Sequence, residues 1–366
     1  MYEKYLRNKT QELKGNIRVF CRIRPVITDM DGNDDIVCQK GVKEIINIKN
    51  LHKIEVWTSI DGFKAGSQKI CNNSMISQSF NFDAVFGHLA NQEDLFKEVY
   101  HLVMSALDGY KICIFAYGQT GSGKTYTMEG NYQIKKERGI IPRAVESLFM
   151  NIEKNKGEGW NYEIEASFQE IYLDQIRDLL STENWMKQMN KASDYQPTKV
   201  TVEQATDVYD LLDTARANRV VGETSCNARS SRSHSLFQLT IRWFHAHIND
   251  GKEQEGAINL IDLAGSERLY KNGSNADKVL LNESTAINKS LSCLRDVISA
   301  LANKDRHVPY RNSKLTYVLQ PHLASKSSKT LMLVNASPLA RHIGETVNSL
   351  RFASEVNSCI INNKKK

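Results

Sequence analysis

The sequence predicts an α/β fold built around a central sheet. Apolar runs of strand length alternate along the chain with segments of helical period, and a glycine-rich turn follows the most apolar of those runs. No internal repeat or low-complexity tract interrupts the pattern, so the chain reads as one domain.

Residues 1 to about 14 are charged, lack Gly and Pro, and place Leu6 and Leu13 one heptad apart, with Tyr2 and Lys9 on the same seam. They read as a helix, but two heptads are too few to specify a coiled coil, and Lys9 weakens the seam. Gly15-Asn16 ends it, as glycine commonly does. NIRVFCRIRP (16–25) alternates Ile17, Val19, Cys21 and Ile23 against Arg18, Phe20, Arg22 and Arg24, the period of a strand. NQEDLFKEVYHLVMSAL (91–107) opens on Asn91 as a cap and sets Leu95, Val99, Leu102 and Ala106 on one helical face. KICIFAY (111–117) is apolar throughout and reads as a strand buried on both faces. NYEIEASFQEIY (161–172) alternates again, and SLFQLTIRWF (235–244), GAINLIDL (256–263) and KTLMLVNA (329–336) are further strands. Between the last two, STAINKSLSCLRDVISAL (284–301) spaces Ile287, Leu291, Leu294, Ile298 and Leu301 by fours and threes, the clearest amphipathic helix in the chain. ETVNSLRFASEV (345–356) closes the series with Val347, Leu350 and Ala353 inward, and 181–200 reads only as a loop.

Composition narrows the setting. With 366 residues, 41% of them hydrophobic and 25% charged, the chain has ample sequence for a soluble globular core. The net charge of +6, part of it in Lys364, Lys365 and Lys366, suits acidic partners of any kind and by itself reads as a solvated surface. Seven cysteines at 21, 38, 71, 113, 226, 293 and 359 form no C-x-x-C pair; neither zinc spacing nor a disulfide framework is visible, which points to a reducing compartment. The first residues are polar and no apolar run reaches spanning length, so cytosol or nucleus is expected, without a membrane.

The chemistry is concentrated in three stretches. GQTGSGKT (118–125) fits G-x-x-x-x-G-K-[ST] and follows a buried strand, the setting of a phosphate loop. Gly118, Gly121 and Gly123 let the backbone of Gln119, Thr120 and Ser122 turn its N–H groups toward phosphate oxygens. Lys124 would neutralise the β- and γ-phosphates, and the Thr125 hydroxyl would ligate Mg²⁺. The alternative is a glycine-rich turn with an exposed lysine. Hydrolysis also requires groups that sense the γ-phosphate. DLAGSE (262–267) puts Asp262 at a strand end, where it can approach the metal through water, and Gly265 could offer its N–H to that phosphate. NARSSRSH (227–234) packs three hydroxyls and two arginines before a strand; alone it reads equally as an exposed loop or a phosphorylation site.

Taken together and in this order, GQTGSGKT, NARSSRSH and DLAGSE resemble the phosphate loop, switch I and switch II of the kinesin motor domain. RIRP (22–25), FNFDAVF (80–86), GIIPRAVESLF (139–149), INKSL (287–291), HVPYRNSKLT (307–316) and LRFAS (350–354) match further landmarks, so the resemblance covers about 16 to 360. It implies a P-loop motor fold with helices on both faces of the sheet, binding ATP or ADP with Mg²⁺ and hydrolysing ATP on microtubules. Arg22, Arg24 and Pro25 would border the adenine and Tyr126 would stack near it. Ser230 and Ser231 would reach the γ-phosphate and the metal. Arg232 would pair with Glu267 across the switches and help position water. Lys289, His307, Tyr310, Arg311 and Lys314 would face the microtubule, with Lys271 and Lys278 balanced between that role and ordinary surface.

The junction ELKGNIRVFCRIRP (12–25) is similar to the neck-to-motor junction of C-terminal-motor kinesins, class 14, and fungal karyogamy-type motors look nearest. That implies minus-end movement in spindle or nuclear-fusion roles, residues 1–15 as the end of a neck, 16–360 as the motor domain and 361–366 as a basic tail. It also implies a homo- or heterodimer through an upstream stalk, on the cytoskeleton of the cytoplasm or in the nucleus. A microtubule-end depolymeriser is the neighbouring alternative. A GTPase or a nucleic-acid-stimulated ATPase is disfavoured, because N-K-x-D is absent and the arginines are not interleaved with aromatics. The chain departs from the family at Ala228, where glutamate is usual, at Arg295, where glycine is common, and at Glu355, where lysine is frequent in class 14.

Overall fold

The apolar run at 111–117 forms a strand in the middle of the main sheet. The computed structural model describes residues 15–26, 46–59, 75–183, 196–221, 229–245, 252–267, 275–325 and 327–364. Its strands are β1 (Ile17–Ile23), β2 (Ile46–Asn50), β3 (Lys53–Ser59), β4 (Met75–Asn81), β5 (Ala84–Phe86) and β6 (Lys111–Tyr117), followed by β7 (Trp160–Tyr172), β8 (Gln175–Asp178), β9 (Val200–Thr201), β10 (His234–His245), β11 (Gln254–Asp262) and β12 (Ser328–Ala336). Its α-helices are α1 (Gln92–Met104), α2 (Lys124–Met128), α3 (Ile140–Lys156), α4 (Ala205–Val221), α5 (Asn275–Asn303), α6 (Lys314–Leu323) and α7 (Ile343–Lys364).

The main sheet runs β5-β1-β12-β6-β11-β10-β7-β8, with β9 on β7, and β2-β3-β4 form a separate small sheet. From β5 to β11 the pairings are parallel; β10 is antiparallel to both β11 and β7. Parallel strands are covered on both faces, which is why β6 carries no polar alternation. Ile112, Ile114 and Ala116 pack toward α1, α3 and α4, while Cys113 and Phe115 pack toward α5, α6 and α7. Each fully buried side chain of this size contributes about 1.5–3 kcal/mol.

Strand β1 reads differently from its sequence. It alternates polar and apolar residues, yet parallel neighbours on each side leave it buried on both faces, including Arg18 and Arg22. Arg22 is accommodated because its Nη1 donates to Gln92 Oε1 at 2.8 Å and to Thr127 Oγ1 at 2.9 Å.

The helices follow their patterns closely. Asn91 caps α1 through a reciprocal capping box: its Oδ1 accepts from the Asp94 N–H at 3.0 Å, and Asp94 Oδ2 accepts from the Asn91 N–H at 3.2 Å. Leu95, Val99 and Leu102 are buried as spaced, and so are Val347, Leu350 and Ala353 of α7. Helix α5 begins at Asn275, ahead of the amphipathic run that predicted it. The expected helix at 1–14 lies outside the described residues, as do 184–195 of the loop expected at 181–200, which ends in β9. No helix among the described residues is long and apolar enough to cross a membrane.

This topology assembles the site. The phosphate loop leaves the carboxyl end of β6 and DLAGSE leaves the carboxyl end of its parallel neighbour β11. Because β10 is antiparallel to β11, with Ser235 opposite Asp262, the chain enters β10 at that same edge. All three stretches therefore meet where α/β sheets bind ligands.

Candidate functional site

The phosphate loop is a cradle of left-handed turns: Gly118, Gly121 and Gly123 have φ of 146°, 76° and 94°. At Gly118 a side chain would also run into the carbonyl oxygen of Asn335 on β12. Lys124 is buried, and its Nζ donates to the Gly118 and Gln119 carbonyls at 2.8 and 2.9 Å. Desolvation lowers the ammonium pKa, opposed by the Asp262 and Glu267 carboxylates. Thr125 Oγ1 donates to Asp262 Oδ2 at 2.5 Å, so the two groups expected to serve the metal already touch. Burial pushes the Asp262 carboxyl up, and Lys124 and the Thr125 hydroxyl pull it back.

The residues fit a magnesium nucleotide on their own chemistry. Ser122 Oγ, Gln119 Oε1 and Asp262 Oδ1 are buried without a hydrogen-bond partner, around a lysine and three turned glycines. An anion with a divalent cation supplies complementary groups for that set.

The switches are fastened to the loop and to each other by backbone. Gly265 N–H donates to the Ser231 carbonyl at 2.9 Å, and Ser266 N–H donates to the Gly118 carbonyl at 3.1 Å. Two expectations change here. The Gly265 N–H, expected to face a phosphate, is engaged with switch I. Arg232 and Glu267, expected to pair, are held apart: Arg232 Nη1 donates to Glu283 Oε2 of α5 at 2.9 Å, and Glu267 accepts from the N–H and Oγ1 of Thr120 at 2.8 and 2.5 Å. Tyr172 Oη donates to the other Glu283 oxygen at 2.5 Å, which satisfies both oxygens of a buried carboxylate. The side chain of Ser230 lies outside the described residues.

On the adenine side, Tyr126 is 48% exposed, and the Arg22 guanidinium lies 5.5 Å from its ring centroid. Arg22, expected to border the base, is buried beneath the tyrosine instead; Gln92, which accepts from it, also donates Nε2 to the Tyr126 carbonyl at 2.7 Å. Tyr126 is left as an exposed platform with a cation behind it. Arg24 Nη1 donates to the carbonyl of Pro25 at 2.9 Å.

The family model described as the kinesin motor domain matches residues 22–359. The chain belongs to the kinesin motor family. It is 47% identical over 373 residues to the kinesin-like protein KIN-14N of Oryza sativa subsp. japonica, covering 98% of this chain and 45% of that protein. To carboxy-terminal kinesin 2 of Xenopus laevis it is 45% identical over 376 residues, covering 97% and 55%. The chain thus spans about half the length of the curated relatives it matches. Among solved structures, the Kar3 motor domain of Saccharomyces cerevisiae matches at 40% identity and a TM-score of 0.72, over 94% of this chain and all of that one. The C-terminal motor and motor homology domain of Kar3Vik1, fused to a synthetic heterodimeric coiled coil, matches at 39% and 0.79, over 97% of this chain and 88% of that one.

In this kinesin the residues expected to face the track divide. Lys289, on α5, is exposed and lies 3.9 Å from Asp174 of the β7–β8 turn; His307 and Arg311 are exposed, and Lys314 is half-buried with its ammonium 5.9 Å from the Tyr317 ring centroid. Tyr310 is not a surface residue: it is buried against the α5–α7 core, so it shapes the turn before α6 rather than touching a partner. Lys271 and the side chain of Lys278 lie outside the described residues, as does Ala228. The two family departures on α5 and α7 meet, since Arg295 ion-pairs with Glu355 and sets its guanidinium 5.6 Å from the Phe352 ring centroid.

Several functional groups had no assigned role in the sequence reading. Glu283 carried a signal: it precedes Ile287 by four residues, on the buried stripe of α5, where a carboxylate needs a partner. Gln92 and Asn335 carried none, because their partners come from distant parts of the chain; Thr120, expected to turn its N–H toward phosphate, donates it to Glu267 instead.

Proposed function

We propose that this chain is the motor unit of a microtubule-stimulated ATPase that moves toward minus ends. In this reading residues 16–360 are the motor domain, 1–15 the end of a neck helix and 361–366 a basic tail. The observation that supports it best is the shared anchoring of the switches: one side bonds to the phosphate loop, and the other reaches Glu283 on α5, the helix that carries Lys289 outward.

Bound ATP with Mg²⁺ supplies the phosphoryl bond to be broken and the divalent charge that shields it. Lys124 and the N–H groups of 118–125 bind and neutralise the phosphates, and Tyr126 carries the base. Thr125 and Ser230 would hold the metal, with Asp262 accepting from the Thr125 hydroxyl. Arg232 exchanges Glu283 for Glu267 as the switches close, and that pair orients water. The exchange alters what holds α5, which passes the nucleotide's condition to the microtubule face. Microtubules are acidic, which suits Lys289, His307, Arg311 and Lys314 and makes binding salt-sensitive. Relatedness to carboxy-terminal kinesins supports minus-end direction and spindle or nuclear-fusion roles, on the cytoskeleton or in the nucleus. The Kar3Vik1 neighbour supports a coiled-coil dimer, homo- or heteromeric.

Steady-state ATP turnover with and without stabilised microtubules tests the core of this. Turnover rises with polymer; a rate indifferent to polymer rejects the motor reading. Gliding of polarity-marked filaments tests direction, and filament shortening without gliding would favour an end-depolymerising ATPase.

A further inference from the structure

His234 is the last residue of the switch I stretch and the first of β10, is 2% exposed, and has one hydrogen bond at each ring nitrogen, each with a different part of the chain. The N–H of Ala264, between Asp262 and Gly265, donates to Nδ1 at 3.1 Å. That donor has no alternative polarity, so Nδ1 is the acceptor and the ring proton belongs on Nε2. Nε2 lies 2.7 Å from Oγ of Ser290, a residue of α5 that is 3% exposed. Ser290 Oγ in turn donates to the Ile287 carbonyl at 2.8 Å, which leaves a lone pair to accept from the imidazole. The result is a one-directional chain: Ala264 N–H to His234, His234 Nε2–H to Ser290, Ser290 O–H to the backbone of α5.

We infer that His234 is a positioning residue that transmits the displacement of switch II to α5, and that Ser290 is its receiver on that helix. The role rests on the proposed microtubule-stimulated ATPase and adds to it a named route between its two sites. Gly265, adjacent to the Ala264 donor, is bonded to Ser231, so a change in either switch reaches the ring. The ring has no free nitrogen and no room, so it follows its donor or breaks a buried bond. Either response moves Ser290, whose neighbours Lys289 and Leu291 point respectively to solvent and to the core. Burial, with the nearby Lys124 ammonium second, holds the imidazole at about 3, so it stays neutral and keeps this polarity at physiological pH.

Ser290→Ala removes the receiver while leaving the nucleotide pocket untouched. Basal ATP turnover stays within about twofold, and the microtubule-stimulated kcat falls about fivefold or more, the low end of ordinary coupling between sites. Ser290→Thr restores stimulation because the hydroxyl returns. His234→Asn keeps an acceptor for Ala264 but cannot reach Ser290, so it lowers stimulation as Ser290→Ala does, and the double variant is no worse than either single. Thermal melts of each variant confirm folding; a variant that fails to fold is replaced by its partner in the chain. If Ser290→Ala lowers basal and stimulated turnover equally, the residue is merely structural and the inference is overturned. Stimulation that is unchanged in both Ser290→Ala and His234→Asn also overturns it. Absence of stimulation in the unmodified chain overturns the proposed function as well, and so separates the two failures.

Discussion

The phosphate loop and the switches share one edge of the sheet and bond to each other there, but their other attachments run to opposite faces. The loop is tied to the α1, α3 and α4 side, through the Arg22–Gln92–Thr127 cluster and through Asn335 Nδ2, which donates to Thr127 Oγ1 at 2.8 Å. Those partners lie on β1, α1 and β12, within or beside the apolar core. The switches are tied to the other side, through Arg232–Glu283 and His234–Ser290, both ending on α5. One half therefore behaves as an anvil for the nucleotide. The other has two polar attachments to a surface helix, the arrangement needed for an element with alternative positions.

The sharpest way to break this contrast is at the loop. Lys124→Ala lowers ATP turnover by about two to three orders of magnitude, the cost of losing one preorganised charge at a phosphoryl centre. Circular dichroism shows a folded protein, because β1, α1 and β12 hold the loop without it. Next in size is a buried ionic cluster on β7, where Glu170 is 1% exposed, accepts from Ser233 at 2.7 Å, and lies 3.5 Å from both Arg177 and Arg219. Glu170→Ala removes the buried carboxylate that both guanidinium groups face and costs about 3–5 kcal/mol in denaturant unfolding. The contrast predicts a loss of stability there without selective loss of microtubule stimulation.

A double-mutant cycle sharpens the switch half. Arg232 and Glu283 couple by about 1–3 kcal/mol in the stability of the protein, and Arg232 and Glu267 couple by less than about 0.5 kcal/mol. Equal couplings would mean that the partners do not exchange. Acid adds a graded test. His234 ordinarily titrates near 6.5 and is held at about 3 in the fold. The unfolded chain therefore binds the extra proton between those values. Its contribution to stability is complete above about pH 6.5 and is lost as pH falls toward 3, by at most about 1.4 kcal/mol per pH unit. Urea melts at pH 7, 6 and 5 measure this, and His234→Asn flattens the slope. The smallest effect is at the rim. Arg295 and Glu355 are 46% and 55% exposed, so Glu355→Ala costs at most about 1 kcal/mol and less in high salt.

Much of this was legible in the sequence, and what was not has a common cause. β6, α1, α5 and α7 declared themselves because their signals are local: an unbroken apolar run, a cap three residues from its partner, a repeat of threes and fours. The phosphate loop did too, since its glycines and Lys124 are contiguous. β1 was legible as a strand, but its burial on both faces was not, because burial of Arg22 depends on Gln92 and Thr127, which are 70 and 105 residues away. The Arg232–Glu267 pairing followed from family resemblance, whereas the actual partner, Glu283, is visible only once α5 is placed beside β10. Tyr310 lay inside a motif expected to face the track, and only packing shows that its ring turns inward.

The antiparallel ladder joining β10 to β11 has a practical consequence. It meshes residue for residue from Ser235–Asp262 to Trp243–Gln254, so its far end lies about 27 Å from the end that adjoins the phosphate loop. A fluorescent or affinity tag inserted between His245 and Gln254 would ride on the rigid frame while leaving the nucleotide edge untouched. That makes the connection a natural handle for watching single molecules work.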